Sequence, residues 1–176
     1  MWQRILNKIK IKIFNLDPMQ LKVRDYIKKG AQIGNNVMLY SEINTNEPYL
    51  ISIGNDVTVS GGVSFITHDN SIIKMTEDKT LVIGRIKIGN KCFIGYGSIL
   101  LPGVELGNNV IVGAGSVVTK SFIEEGVIVA GNPAKKISTI EEYLNKYYSI
   151  AVNTDSMDFE TKRSFILANE SKLCSK

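Results

Sequence analysis

Between Val82 and Val118 the aliphatic residues Val82, Ile88, Ile94, Leu100, Leu106, Val112 and Val118 recur at a strict spacing of six. Four residues after each of the first six stands a small or branched side chain: Ile86, Cys92, Ser98, Val104, Val110 and Ser116. Gly89, Gly95, Gly107 and Gly113 follow four of the aliphatic anchors directly. An amphipathic helix would show a period near 3.6, and a half-buried strand a period of 2. A period of six matches neither. It matches a three-sided coil in which every six residues supply one short strand and one corner. The anchor points into the prism, the small residue fills the next inward slot, and glycine at the corner permits backbone angles that a side chain makes costly.

The same phasing extends upstream. Ile27, Ile33 and Leu39 are anchors, with Ala31, Val37 and Ile43 as their partners. The phase slips by two across Asn44 to Tyr49 and resumes at Ile53, Val59 and Phe65, with Val57 and Val63 as partners. From Asp69 to Leu81 the pattern stops. That stretch, DNSIIKMTEDKTL, is polar and charged, and a long loop in a compact fold is usually functional or disordered. The spacing predicts about five coils stacked about 4.8 Å apart.

Three segments follow from this. Residues 1–26 form an N-terminal helical cap, 27–137 the coil with its loop at 69–81, and 138–176 a helical tail. In the first, Trp2, Ile5, Leu6, Ile9 and Ile13 recur at helical spacing, with Arg4, Lys8, Lys10 and Lys12 on the other faces. A helix there covers the open first coil, as repeat folds require. A basic interfacial helix touching anionic lipid is the less favoured alternative. Asp17-Pro18 breaks the segment. Gly131-Asn132-Pro133-Ala134-Lys135 reads as a turn-rich exit from the coil. Thr139-Ile140-Glu141-Glu142 reads as a capping box opening a helix from about Ile140 to Tyr148. A second helix is expected from Phe159 to Asn169.

Composition excludes several classes. A chain of 176 residues with 44% hydrophobic and 22% charged residues suits one soluble domain with a sizeable core. No apolar run reaches the roughly 20 residues of a membrane span. The first residues lack a signal-peptide pattern, and two cysteines make no disulfide framework, so a cytoplasmic location is expected. A net charge of +4 favours anionic ligands, but no nucleic-acid, metal-ligand or phosphate-loop motif is present.

His68 is the single histidine, and imidazole is the usual general base near neutral pH. It lies three residues past the anchor Phe65, outside the core phase, where the coil gives way to the loop. Such a scaffold–loop junction is a favourable place for a site. A base needs an orienting partner, and Glu47 and Asp69 are both in range by position. Asp69 is adjacent, yet neighbouring strand side chains point to opposite faces. Glu47 lies near one coil earlier. Asn44 is an acceptor-side candidate by position.

These segments together resemble the hexapeptide-repeat acyltransferases, most closely the galactoside- and maltose-type and the capsule and O-antigen O-acetyltransferases. The likeness covers residues 27 to 148. It rests on the hexads, on Phe65-Ile66-Thr67-His68-Asp69, on Glu47-Pro48-Tyr49-Leu50-Ile51, on Gly113-Ala114-Gly115-Ser116-Val117-Val118-Thr119-Lys120 and on the exit motif ending at Lys135. The resemblance implies a mainly β fold: a left-handed parallel β-helix with an extruded loop, an N-terminal capping helix and C-terminal helices. It implies acetyl-CoA as cosubstrate, no metal, and direct transfer to a sugar hydroxyl in surface polysaccharide assembly. In that scheme His68 takes the acceptor proton. Gly113, Ala114, Thr119 and Lys120 form the coenzyme A wall, Lys135 meets a phosphate and Phe93 faces the pantetheine arm. A backbone N–H at Tyr96 or Gly97 holds the oxyanion. Ser138 stands where many relatives carry another cation. The resemblance also implies a homotrimer with sites between subunits.

Other readings are an N-acetyltransferase of an amino sugar or nucleotide-sugar, an antibiotic acetyltransferase, and a non-catalytic scaffold. A zinc hydratase on the same coil wants three histidines, which this chain lacks. A serine acetyltransferase wants a long helical domain at the start.

Overall fold

The computed structural model describes residues 17–174. Thirteen of its strands wind into three ladders. One wall is β1 (Gln32–Ile33), β3 (Ile51–Ile53), β8 (Ile86–Ile88) and β11 (Glu105–Leu106), paired in that order. A second wall orders β2 (Met38–Leu39), β4 (Thr58–Val59), β9 (Phe93–Ile94), β12 (Ile111–Val112), β14 (Val127–Gly131) and β15 (Ala134–Thr139). The third is β5 (Ser64–Phe65), β10 (Ile99–Leu100) and β13 (Val117–Val118). The ladders through β11, β14 and β13 are parallel. Successive strands along the chain move from wall to wall, which makes a parallel three-sided coil.

The hexad anchors meet inside it. Leu39, Val59, Ile94, Leu100, Val112 and Val118 are fully buried, and Val57, Ile86, Cys92, Ser98, Val104, Val110 and Ser116 fill the slots between them. Fully burying one such aliphatic side chain is worth about 1.5–3 kcal/mol. The two serines bury a hydroxyl without penalty because both donate to the Gly113 carbonyl, Ser98 at 3.0 Å and Ser116 at 2.6 Å.

Two anchors read from the spacing are not core residues. Val82 is 51% exposed, because it lies on β7 (Val82–Ile83), which pairs antiparallel with β6 (His68–Asp69). It keeps the count of six but belongs to a hairpin that leaves the wall. Ile27 is 44% exposed, because it lies on the helix α1 (Pro18–Lys28) rather than on a strand.

Asp17-Pro18 opens α1 instead of breaking the chain. Asp17 accepts the Met19 N–H at 2.9 Å as N-cap, and Pro18 stands in the first turn, where its missing N–H costs nothing. The helix buries Val23 and Tyr26 in the same core as the first coil. The cap helix expected over residues 1–14 lies outside the described residues.

One corner carries an asparagine ladder. The Asn55 side chain accepts from the Asn35 N–H, Asn90 from the Asn55 N–H and Asn108 from the Asn90 N–H, at 2.8, 2.8 and 2.9 Å. The steps along the chain are 20, 35 and 18 residues. The first carries the two-residue slip before β3, and the second carries the β6–β7 hairpin with the 3-10 turn Ser71–Lys74 between its strands. Beneath each asparagine the glycines stack so closely that a Cβ on Gly89 would sit 2.5 Å from the Gly107 carbonyl oxygen.

Two compact units divide the chain, one ending at Ser138 and one beginning at Thr139. The second contains α2 (Ile140–Tyr147) and α3 (Phe159–Ala168). The capping box forms: Glu142 N–H donates to Thr139 Oγ1 at 3.2 Å and Thr139 N–H to the Glu142 carboxylate at 3.0 Å. Asp158 caps α3 by accepting from the Thr161 N–H at 2.8 Å.

Candidate active site

His68 stands at the first position of the hairpin that interrupts the coil. Its backbone is fixed on both sides. His68 pairs with Ile83 across the hairpin, and the preceding Thr67 carbonyl accepts from the Gly84 N–H at 2.9 Å. Close packing beneath Gly84 leaves no room for a side chain, since a Cβ there would lie 2.2 Å from the Gly103 nitrogen. The imidazole is therefore placed by strand geometry rather than by a free loop. It is one-third exposed.

Glu47 reaches it from the preceding coil. His68 Nδ1 lies 2.7 Å from Glu47 Oε2, and the glutamate side chain is only 12% exposed. The same oxygen accepts the hydroxyls of Thr45 and Thr67, each at 2.9 Å. The two threonine hydroxyls also touch each other. Glu47 is held by its neighbours in sequence: its N–H donates to Thr45 Oγ1 at 3.2 Å, and it opens the 3-10 turn Pro48–Leu50, whose proline is buried. The hydrogen bond from His68, followed by those from Thr67 and Thr45, holds the Glu47 carboxyl below its ordinary value, against the opposing effect of burial. An ionised Glu47 can only accept. Nδ1 must then carry the proton, and Nε2 keeps its lone pair for a substrate hydroxyl.

Asp69 does not share this contact. Its carboxylate accepts the Ser71 N–H at 2.8 Å, which holds it below the usual carboxylate range and ties it to the hairpin turn. Strand alternation turns it away from the imidazole. Asn44 does lie beside His68: together with Lys29, Ile43, Thr45 and Asn46 they line an open cleft of about 370 Å³. Thr45, Thr67, Asn46 and Lys29 were not among the residues expected at the site. For Thr67 a signal exists in the sequence, since it stands two residues past the inward Phe65 and a buried hydroxyl must find a partner.

The residues expected on the donor side gather elsewhere. Tyr96, Gly97, Gly113 and Ala114 share one corner column, joined by Gly97 N–H to Gly61 O at 3.0 Å and Gly115 N–H to Tyr96 O at 2.8 Å. The first bond engages the Gly97 N–H inside the wall. Gly113 is likewise engaged, donating to Val129 O at 2.8 Å and accepting from both inward serines. Ala114, Thr119, Lys120 and Phe93 are exposed, with Phe93 pointing outward beside Ile111. Lys120 lies over the Phe122 ring at 5.7 Å. Lys136 pairs with Glu124 at 2.6 Å, whereas Lys135 has no carboxylate partner among the described residues. Among those residues no group of three His, Cys, Asp or Glu side chains is placed to hold a metal ion, and no helix is long and apolar enough to cross a membrane.

The charge state of Glu47 makes a test. Its pKa is lowered in the folded chain, so its stabilising contribution is present above the ordinary value of 4.5 and is lost as pH falls through the lowered one. Glu47→Gln should be less stable than the parent at neutral pH, with the gap closing on acidification. Denaturant titrations across that range read the gap directly, and a constant gap would mean that the ionised form contributes nothing.

The family model for the bacterial transferase hexapeptide (six repeats) matches residues 85–120. The chain is 43% identical over 167 residues to Protein CapG of Staphylococcus aureus, a match covering 92% of this chain and 95% of that protein. A maltose O-acetyltransferase structure from Clostridium difficile 630 superposes with a TM-score of 0.57 at 26% identity, covering 77% of this chain and 85% of that one. A galactoside acetyltransferase in complex with coenzyme A superposes with a TM-score of 0.58 at 25% identity, covering 82% and 84%. The chain belongs to the hexapeptide-repeat transferases, and among them to the acetyltransferases.

Proposed function

We propose that the protein transfers an acetyl group from acetyl-CoA to a sugar hydroxyl, in the cytoplasm, during assembly of a surface polysaccharide. The observation that carries this is the His68–Glu47 contact at the edge of an open polar cleft. His68 Nε2 takes the proton of the acceptor hydroxyl as its oxygen attacks the thioester carbonyl. The Tyr96 N–H holds the oxygen that becomes negative. Collapse of the tetrahedral intermediate breaks the carbon–sulfur bond, releases the coenzyme A thiolate and leaves the acetyl ester. The proton on His68 neutralises the thiolate. Transfer is direct, with no covalent enzyme intermediate.

The coenzyme A wall is then Ala114, Gly113, Thr119 and Lys120, with Phe93 along the pantetheine arm and Lys135 at a phosphate. This reading takes the coil as left-handed and of about five turns, with residues 69–81 extruded as a loop. It also takes the active form as a homotrimer. The outward residues support that: Met38, Phe93 and Ile111 with Thr58 on one wall, and Ile99 and Val117 with Ser64 on another, are mostly apolar, whereas Gln32, Ser52, Lys87 and Glu105 on the third are polar. Two mostly apolar walls suit burial against neighbouring copies, and in the trimer reading one subunit's His68 cleft faces another's Tyr96–Ala114 corner. Cys92, buried, and Cys174, exposed, are both free thiols, which suits a reducing compartment. The maltose O-acetyltransferase and galactoside acetyltransferase neighbours favour a saccharide acceptor.

The deciding experiment measures thiol release from acetyl-CoA against a panel of sugars, nucleotide-sugars, amino sugars and chloramphenicol-like alcohols. Ester formation on a saccharide supports the reading. Amide formation on an amino sugar or exclusive use of the antibiotic alcohol would replace the acceptor named here. Lys135→Ala should raise the apparent acetyl-CoA constant roughly tenfold, the worth of one charge-assisted phosphate contact, with turnover at saturation little changed. An unchanged constant would clear Lys135 of that role.

A further inference from the structure

The cleft beside His68 is not electrically neutral in its lining. Its polar side chains are Lys29, Asn44, Thr45, Asn46 and His68. The carboxylate that contacts His68, Glu47, is not part of that lining and accepts from His68, Thr45 and Thr67, and Glu42 accepts the Tyr26 hydroxyl at 2.5 Å. Lys29 is thus the one charged residue of the lining whose charge does not depend on the imidazole. It is the C-cap of α1, with its N–H on the Tyr26 carbonyl at 3.0 Å. Its ammonium rests over the Tyr26 ring at 5.3 Å, and Tyr26 is itself buried in the core. Among the described residues no carboxylate pairs with it, whereas Lys22 on the same helix is paired with Glu42 at 2.9 Å. A cation–π contact steadies a lysine without neutralising it. The ammonium and the amides of Asn44 and Asn46 therefore present donors and a positive charge to whatever enters beside the base.

Resting on the sugar-acceptor reading, we propose that the acceptor is an anionic saccharide, whose carboxylate or phosphate is held by Lys29 with help from Asn44 and Asn46. A neutral sugar would leave the ammonium unmatched, and a charge-assisted hydrogen bond discriminates more strongly than a neutral one. Lys29 acts as a specificity determinant and takes no part in proton transfer. The anion can come from a uronic acid or from a sugar phosphate, and these two sources share the same recognition chemistry.

The test uses matched sets of three: a neutral hexose, its uronic acid and its 1-phosphate, each assayed with acetyl-CoA and the full-length protein. The wild type should use one anionic member with kcat/KM roughly 10–100-fold above the neutral sugar. The member used separates a carboxylate from a phosphate. Lys29→Gln should erase that preference through KM with kcat held, Lys29→Glu should reverse it, and Lys29→Arg should keep most of it. A merely structural lysine would instead change all acceptors alike. The preference should also weaken as salt rises. Equal or better use of the neutral sugar, or a preference that survives Lys29→Gln, overturns the inference while the sugar-acceptor reading stands. A protein that acetylates no saccharide overturns both.

Discussion

Replacing His68 with alanine is expected to slow acetyl transfer by roughly 10²–10⁴-fold, the span for loss of a general base, while acetyl-CoA still binds. The expectation is sharp because the chain holds a single histidine. No second imidazole can substitute, and the nearest carboxylate is committed to three hydrogen bonds at Oε2. Lys29, the other titratable group lining the cleft, is a cation and a poor proton acceptor near neutral pH. The imidazole also contributes little to the core, being one-third exposed, so the variant should remain folded. Turnover by thiol release and coenzyme binding by calorimetry separate the two quantities. Near-normal turnover would remove the mechanism. Lost binding together with lost turnover would point to a donor-side or structural role instead.

Gly89→Ala should destabilise the coil by about 1–3 kcal/mol or more, the cost of forcing atoms into a packed interior. The new Cβ would lie 2.5 Å from the Gly107 oxygen, 2.6 Å from its carbonyl carbon and 2.9 Å from the Asn108 nitrogen. All three are backbone atoms, so no rotamer change relieves the contact. The layers must part instead, which stretches the adjacent ladder bonds: Gly89 N–H donates to Leu106 O at 2.9 Å and Asn90 N–H to the Asn108 side chain at 2.9 Å. Gln32→Ala on the exposed polar wall serves as the control and should stay within about 0.5 kcal/mol. Thermal or denaturant midpoints measure both. If the two variants melt together, the close stacking of this corner is not what sets coil stability.

The walls of the coil were legible because burial repeats with the geometry. Every anchor from Ile88 to Val118 is at most 4% exposed. Spacing alone misplaced Val82, since a count of six carries no information on whether the chain has already rejoined the wall. It misplaced Ile27 because Pro18 was read as a breaker, although the first helical turn has no use for the N–H that proline lacks. With the helical cap taken to end at residue 26, Lys29 at the end of α1 was not visible as a cleft residue. His68 and the capping box at Thr139 were readable from local chemistry. The choice of Glu47 over Asp69 was not, because it depends on which residues one coil apart come into register, and that register includes the slip before β3. That the Gly97 N–H is taken up by Gly61 O was not legible either, because it depends on the same stacking of coils.

The asparagine column has an implication for how such a chain can vary. Between Asn55 and Asn90 it spans 35 residues, against 18 for the step from Asn90 to Asn108, yet both rungs close at nearly the same length. The prism thus accommodates an excursion that departs and returns at one edge, as it does the two-residue slip of the first step. Exchanging the excursion that leaves at His68–Asp69 and returns at Val82–Ile83 should therefore leave the prism beneath it folded.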